Sequence, residues 1–350
     1  MNPLAYKRVE DLWFYDGSLI LRAGEKIFRV YKAQLAARST VFETMLELGT
    51  PDSQTDEMID GVPVAVLHDE ADDVEVFLRA IFDSSFFMPS PAAVRLADVM
   101  AILRLAHKYD VDYLHRRALE HLAFEYYYAS VDAFGKSFRE TESKETVERS
   151  THFLHAGSHD RIPVFELLKL LTAAEEVGAI WILPIIYYDL TMQCKLQDIL
   201  SALEQAGNER LTRTCLGGRS QLLLENLRLN RFLVEETIQS DCLQPTACDP
   251  FRRFLCDAVF EALLGQQLAP LDGLGNSIWD DVDPAKQSHD PPSIFASIFS
   301  FTFCVPCFNA SRAMHTAARE DCWNNLPRYF GLPSWPELQA MKDAALGSDD

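Results

Sequence analysis

The cysteines in the second half of the chain have a spacing that suits metal binding. Cys304-Val-Pro-Cys307 is a C-x2-C pair, and such a pair lets two thiolates reach one Zn²⁺ at about 2.3 Å. A structural zinc site needs two more ligands, and the best second pair is Cys242 with Cys248, five residues apart and flanked by Pro245 and Pro250. The sequence therefore predicts one structural zinc site. Its expected ligands are Cys242, Cys248, Cys304 and Cys307, with Cys256, His315 and Cys322 as alternatives. The competing interpretation is a set of buried free thiols, a common state for cysteine.

The distribution of the cysteines also bears on the compartment. None of the eight occurs before Cys194, and the first residues of the sequence (1–11) carry charges but no apolar h-region. We therefore expect no secretory signal, reduced thiols and a cytoplasmic or nuclear protein.

A histidine series invites a second metal interpretation. His152, His155 and His159 have helical spacing, but no carboxylate or cysteine stands at a matching position, and Gly157 weakens a helix here. We interpret this stretch as a loop. The sequence contains no nucleophile elbow, phosphate-binding loop, zinc-protease or dinucleotide-binding motif, so we predict a non-enzymatic protein. An enzyme of another class is the alternative, because Cys–His pairs assemble in space.

The charge of the chain excludes some classes of partner. The 32 basic and 52 acidic residues give a net charge of -20, which argues against binding to nucleic acid or to an anionic membrane. Residues 291–311 carry no charge, but their apolar centre, 294–308, is about 15 residues long, shorter than the roughly 20 that a membrane span needs. We expect a buried helix there and no membrane partner.

The first 126 residues have the pattern of a mixed α/β domain. The apolar runs 12–15 and 18–21 flank Asp16-Gly17, which predicts a hairpin with a tight turn, and a further strand is expected over 27–30. Short helices with Ser39 or Thr40 as a cap should follow. Alternating valines then predict a strand over 62–66. Apolar periodicity predicts helices over 72–82, 94–106 and 111–122.

Several separated motifs in this region resemble one known family. The segment Phe28-Arg-Val-Tyr-Lys-Ala-Gln-Leu-Ala-Ala-Arg-Ser-Thr-Val-Phe42, followed by Met45, is similar to the signature of the BTB/POZ domain. The stretches 64–82 and 105–114 match later parts of that domain in the same order. Tyr31 departs from the family, which usually has His at this position. The chain most resembles the fungal type, in which a helical region follows the BTB domain.

The resemblance implies a fold and a domain organisation. We expect an α+β BTB/POZ domain, a helical cluster with a small capping sheet, over residues 1–126. A polar junction should cover 127–162, and a mostly α-helical domain should cover 163–350, including a deeply buried segment over 179–190. Two short helices are expected after Pro292 and Asn309.

The resemblance also implies a function, namely a scaffold that acts through self-association and docking of an unknown protein partner. We expect a homodimer formed by the BTB domain, with Trp13, Phe14, Tyr15, Phe42 and Met45 as interaction residues. The aromatic residues could equally belong to the domain's own core. The alternative function is a substrate adaptor of a cullin-type ubiquitin ligase. Such adaptors carry an apolar-x-acidic motif after the Met/Phe pair, where this chain has Thr50 at the apolar position.

One stretch of the BTB-like region is strongly acidic. Ten acidic residues lie between Asp52 and Asp83 against the single base Arg79. A partner that docks there should be basic, and its association should weaken with salt.

Overall fold

The structure is a computed structural model that describes residues 6–48, 58–142, 162–229, 242–243, 274 and 304–347. An α+β domain forms the N-terminal part, and a helical region follows and extends to Leu346. The predicted fold class is confirmed.

The N-terminal sheet has five strands among the described residues, in the order β1-β3-β2-β5-β4. They are β1 (Lys7–Trp13), β2 (Leu19–Ala23), β3 (Lys26–Val30), β4 (Met58–Ile59) and β5 (Val62–Leu67). The central strand β2 is apolar on both faces because both are covered. Leu19 and Leu21 join the main core, whereas Ile20 packs with Ile27 and Val62 on the opposite face.

The hairpin predicted at Asp16-Gly17 is wrong. β1 runs parallel to β3, and the antiparallel hairpin joins β2 to β3 through Gly24, whose φ is 52°. Gly17 has a different reason to be glycine, since a Cβ there would lie 2.8 Å from Cγ of Arg29. The turn that the sequence places between two paired strands instead carries the chain past β3.

Five helices complete the N-terminal domain, and the predicted periodicities are confirmed. Ser39 caps the second helix, because its Oγ accepts a 2.9 Å hydrogen bond from the Phe42 N–H. The third helix buries Val74, Phe77, Leu78 and Ile81, the spacing of one helical face. The five helices are α1 (Lys32–Ala36), α2 (Thr40–Leu48), α3 (Ala71–Phe82), α4 (Leu96–Lys108) and α5 (Asp112–Tyr126).

The rest of the described chain is helical. A 3-10 turn (Ile180–Ile182) and a π-helical turn (Asp189–Gln193) flank α8, and this segment is buried as its apolar sequence predicts. The helices are α6 (Val131–Glu142), α7 (Val164–Glu176), α8 (Leu183–Tyr188), α9 (Leu196–Ala206), α10 (Glu209–Leu229), α11 (Val305–Tyr329) and α12 (Trp335–Leu346).

Two helices differ from the pattern that the sequence suggests. α6 lies within the stretch 127–162, where it buries Val131 and Phe134. α11 is a single helix of 25 residues in place of a short helix beginning after Asn309. It can begin at Val305 because Pro306 lies in the first turn, where no intrahelical donor is lost.

The N-terminal domain and the helical region share one continuous core. α7 packs against α4, while α8 and α12 pack against α5. Among the described residues, no helix combines the length and the hydropathy that a membrane span needs. Residues 291–303 lie outside the described ranges.

Candidate interaction surface and cysteine cluster

The five residues expected to form an interface differ greatly in exposure. Tyr15 is 86% exposed, and Trp13, Phe14 and Met45 are half-buried. Phe42 is fully buried and stacks on Tyr109 with ring centroids 4.6 Å apart. Phe42 is thus a core residue of the domain, and it is not part of the exposed surface.

Trp13 and Phe14 lie on opposite sides of the chain as β1 ends. Trp13 packs with the small cluster behind the sheet, where the guanidinium of Arg8 lies 4.5 Å from its ring centroid. Phe14 stacks on Tyr31 at 4.8 Å and lies 5.5 Å from Phe82. Packing inside the domain therefore holds both side chains, whereas Tyr15, the next residue along the chain, is exposed.

The start of α1 connects the Tyr15 turn to α2. The Tyr31 hydroxyl donates a 2.8 Å hydrogen bond to Asp16, and the Lys32 N–H donates one of 3.2 Å to Oγ of Ser18. The Lys32 ammonium donates a 3.2 Å hydrogen bond to the carbonyl oxygen of Leu46. Tyr15, Met45 and Leu46 thus border one fixed piece of backbone. We call these three residues with α1 the Tyr15 surface.

The edge strand β1 presents charge to the solvent. Lys7, Arg8, Glu10 and Asp11 are exposed, whereas Val9 and Leu12 are buried. Charged side chains on an edge strand disfavour uncontrolled strand pairing with other chains. Contacts through this edge therefore need a partner that satisfies the charges.

Ion pairs neutralise much of the acidic stretch identified in the sequence. Five of its described acidic residues pair with cations, and each of the five has a partner from a distant part of the sequence. The pairs are Asp60 with Arg8, Asp69 with Lys108, Asp72 with Lys26, Asp73 with Arg104, and Glu75 with Lys26 and Arg79. Residues 52, 56 and 57 lie outside the described ranges. The described part therefore offers a basic partner less free negative charge than the sequence suggests.

The last helix, α12, is fixed to the N-terminal domain by contacts that the sequence did not reveal. The Tyr127 hydroxyl, just after α5, hydrogen-bonds the Gln339 side chain, and Arg116 donates a 2.6 Å hydrogen bond to the carbonyl oxygen of Leu346. Trp335 stacks on Trp323 at 4.8 Å and donates a 2.7 Å hydrogen bond to its carbonyl oxygen. The tyrosines at 126–128 and the aromatic residues over 323–335 are the feature of the sequence that could have indicated these contacts.

Three of the four predicted zinc ligands lie together. The sulfur atoms of Cys242, Cys304 and Cys307 are all within 4.8 Å of one another, and Sγ of Cys242 is 3.7 Å from Sγ of Cys304. Cys304 is the N-cap residue of α11 and Cys307 lies in its first turn, so the helix start fixes both thiols. The predicted fourth ligand, Cys248, lies outside the described residues.

The alternative ligands do not join this cluster. His315 and Cys322 lie on α11 at eight and fifteen residues beyond Cys307, which places them about 12 and 22 Å along the helix. Burial, with a smaller effect of Arg319, lowers the pKa of His315 to about 4, so this imidazole is neutral. Cys256 and the series His152, His155 and His159 lie outside the described residues.

Hydrogen bonds favour the thiolate form of Cys304. Burial opposes its ionisation, but the N–H groups of Cys307 and Leu243 and the thiols of Cys307 and Cys242 hydrogen-bond its sulfur and lower its pKa to about 6. The buried Cys215 differs, since burial and then Glu175 raise the pKa of its thiol to about 12. The thiolate is the form of cysteine that binds metals.

Comparison with known proteins identifies the N-terminal domain. The family model of the BTB/POZ domain matches residues 14–125, about a third of the chain. No curated protein and no solved structure matched in the corresponding searches.

The described sheet and helices α1–α5 together with this match define a BTB/POZ domain, which is followed by the helical region. BTB/POZ domains are typically non-enzymatic modules for protein–protein interaction. The particular fungal type stays a prediction from the sequence.

Proposed function

We propose that this protein is an interaction scaffold that self-associates through its BTB/POZ domain. The observation that carries the proposal is the exposure of Tyr15, 86%, on a turn whose neighbours are held in place by packing. A large aromatic side chain on a rigid support is the kind of residue that dominates binding energy at protein interfaces.

The Tyr15 surface is suited to a two-fold contact between identical chains. The half-buried Met45 and Leu46 supply further apolar area. α1 links them to the turn that carries Tyr15, through the Lys32–Leu46 and Tyr31–Asp16 hydrogen bonds. In a homodimer the same patch serves both subunits, so one rigid patch is sufficient. Ordering costs on association are small where the contact residues are already fixed.

Light scattering of the full chain over a concentration series tests this proposal. We expect a mass of two chains at micromolar concentration. Tyr15→Ala should raise the dimer dissociation constant about 5- to 30-fold, the effect of losing about 1–2 kcal/mol. Phe165→Ala, at a 52% exposed aromatic residue of α7, is the matched control and should leave the dissociation constant unchanged.

Two results would overturn the proposal. One is a monomer at every concentration tested, and the other is a dimer that Tyr15→Ala and Phe165→Ala weaken equally.

The cullin adaptor is the alternative function and depends on the segment 47–52, most of which lies outside the described residues. Co-purification of a monomeric chain with a cullin N-terminal domain would favour the adaptor.

A further inference from the structure

We propose that Cys242, Cys304 and Cys307 bind one Zn²⁺ ion in a structural site. This site is independent of the Tyr15 surface. Its basis is that two segments distant in sequence bring three thiols to one point.

The distance between the sulfur atoms of Cys242 and Cys304 fits a metal ion better than a disulfide. Four sulfur atoms placed about 2.3 Å from a tetrahedral zinc ion are about 3.8 Å apart. Sγ of Cys242 lies 3.7 Å from Sγ of Cys304, which is close to this tetrahedral edge. A disulfide would need a sulfur–sulfur distance of about 2.05 Å, and it would use only two of the three thiols.

The first turn of α11 prepares two of the ligands. Cys304 precedes the helix and Cys307 lies three residues on, so one turn presents both sulfur atoms on the same side. The N-terminal end of the helix favours the negative charge of thiolates, and the N–H groups of Cys307 and Leu243 hydrogen-bond the Cys304 sulfur. These bonds would orient the ligand from outside the first coordination shell.

The chemistry of the ligands selects the ion. The three described ligands are all sulfur, which favours zinc and disfavours magnesium or calcium, since these prefer oxygen. Cys304 and Cys307 are buried, and three cysteine ligands are found in structural zinc sites, whereas catalytic sites use mainly histidine or carboxylate ligands. The expected role of the ion is therefore structural.

The position of the cluster indicates what the ion would stabilise. It would attach the chain at residue 242 to the start of α11. Arg319, further along α11, donates hydrogen bonds to the carbonyl oxygens of Val131 at 3.1 Å and Leu274 at 2.8 Å. α11 is thus a common support for several segments, and fixing its first turn would stabilise the C-terminal region.

Zinc content of the purified full chain tests the proposal. Without added metal or chelator, elemental analysis should find about one zinc ion per chain. Cys242→Ser, Cys304→Ser and Cys307→Ser should each lower the zinc content at least about fivefold. Cys215→Ser and Cys322→Ser remove buried thiols outside the cluster and should retain the metal.

Experiments on the wild-type chain cover the case in which a ligand variant fails to fold. Exchange of the metal for Co²⁺ should give the intense visible absorption of tetrahedral cobalt with thiolate ligands. Treatment with a zinc chelator should lower Tm, and added Zn²⁺ should restore it. A weak octahedral cobalt spectrum, a wild-type chain without zinc, or a disulfide between any two of the three cysteines would overturn the proposal.

Cys248→Ser tests separately whether the fourth ligand is the cysteine that the sequence predicts. Loss of zinc similar to that of Cys304→Ser, with Cys256→Ser retaining the metal, would support Cys248. Full zinc content in Cys248→Ser would overturn this assignment. The dimer mass measured for Tyr15→Ala does not enter either result, so failure of the scaffold proposal and failure of the zinc proposal are distinguishable.

Discussion

Two adjacent glycines of α10, Gly217 and Gly218, have opposite surroundings. A Cβ at Gly218 would lie 2.0 Å from the ring of Phe330, whereas a Cβ at Gly217 has nothing within 4 Å. Phe330 in turn stacks on Tyr187 with ring centroids 4.7 Å apart and an interplanar angle of 9°. The absence of a side chain at Gly218 is therefore what allows this stack to contact α10.

Only one of the two alanine substitutions should lower stability. Gly218→Ala should lower the free energy of unfolding by about 1–3 kcal/mol, because the Phe330 ring must move. Gly217→Ala should leave it unchanged or raise it by up to about 1 kcal/mol, through helix propensity. Urea denaturation followed by circular dichroism measures both. Equal stability of the two variants would show that the Phe330 ring adapts without cost.

For individual residues, the sequence indicated the chemistry of a side chain more reliably than its burial. The C-x2-C spacing was sufficient to indicate Cys304 and Cys307, since two ligands on one helical turn need no tertiary information. Phe42 illustrates the limit. Apolar periodicity identifies the apolar face of α2, but it does not distinguish a fully buried residue such as Phe42 from a half-buried one such as Met45.

At the scale of elements, α12 is the helix whose position depends most on a few side chains. Ser334 and Glu337 form a capping box at its start, and Trp335 contacts both Trp323 and Tyr127. Lys342 lies over the Tyr127 ring at 5.2 Å. The contacts at the start of the helix therefore set its position against α5.

Trp335→Ala should loosen the start of α12 from Trp323 of α11 and from Tyr127. Losing the stack and the indole hydrogen bond should lower the free energy of unfolding by about 2–4 kcal/mol. Amide hydrogen exchange should accelerate over Trp335–Leu346, and chemical denaturation gives the energy. Met341→Ala, at a 40% exposed residue of the same helix, is the control. Similar effects of both substitutions would contradict the anchoring role of Trp335.

Secondary structure was predictable where periodicity was strong, and topology was not. The helices α3, α4 and α5 follow from one-sided apolar spacing. The partner of β1 does not, because an Asp-Gly turn between apolar runs indicates a reversal of the chain without stating which strands pair. Two long-range pairings, β1 with β3 and β2 with β5, decide the sheet.

In the whole molecule, the shared core brings acidic groups of the N-terminal domain and of the helical region close together where the two meet. Glu125, near the end of α5, is largely removed from solvent, and Asp189 of the helical region adds repulsion. Burial first, and Asp189 second, raise the pKa of Glu125 to about 7. In the unfolded chain the pKa of this carboxyl group is about 4.3.

This pKa predicts a pH dependence of stability. Between about pH 4.3 and 7 the folded chain holds the Glu125 proton more tightly than the unfolded chain, so the free energy of unfolding falls as pH rises. Glu125→Gln should remove this loss. The free energy of unfolding of the variant should therefore rise by about 1–2 kcal/mol relative to that of the wild type as the pH increases from 5 to 8.

Urea denaturation at several pH values measures this effect. Glu337→Gln is the comparison of opposite sign. Hydrogen bonds from the Ser334 side chain and backbone lower the pKa of Glu337, so its substitution should cost stability at neutral rather than acidic pH. A constant difference between Glu125→Gln and the wild type across this range would contradict the prediction.

The contact between Arg116 of α5 and Leu346 of α12 has a consequence for synthesis of the chain. The BTB/POZ domain leaves the ribosome first, but about 220 more residues must follow before α12 can cover α5. At about 5–20 residues per second this takes about 10–45 s. During that interval the apolar faces of α4 and α5 are exposed to solvent, and the nascent chain offers a binding site to chaperones that the finished protein has buried.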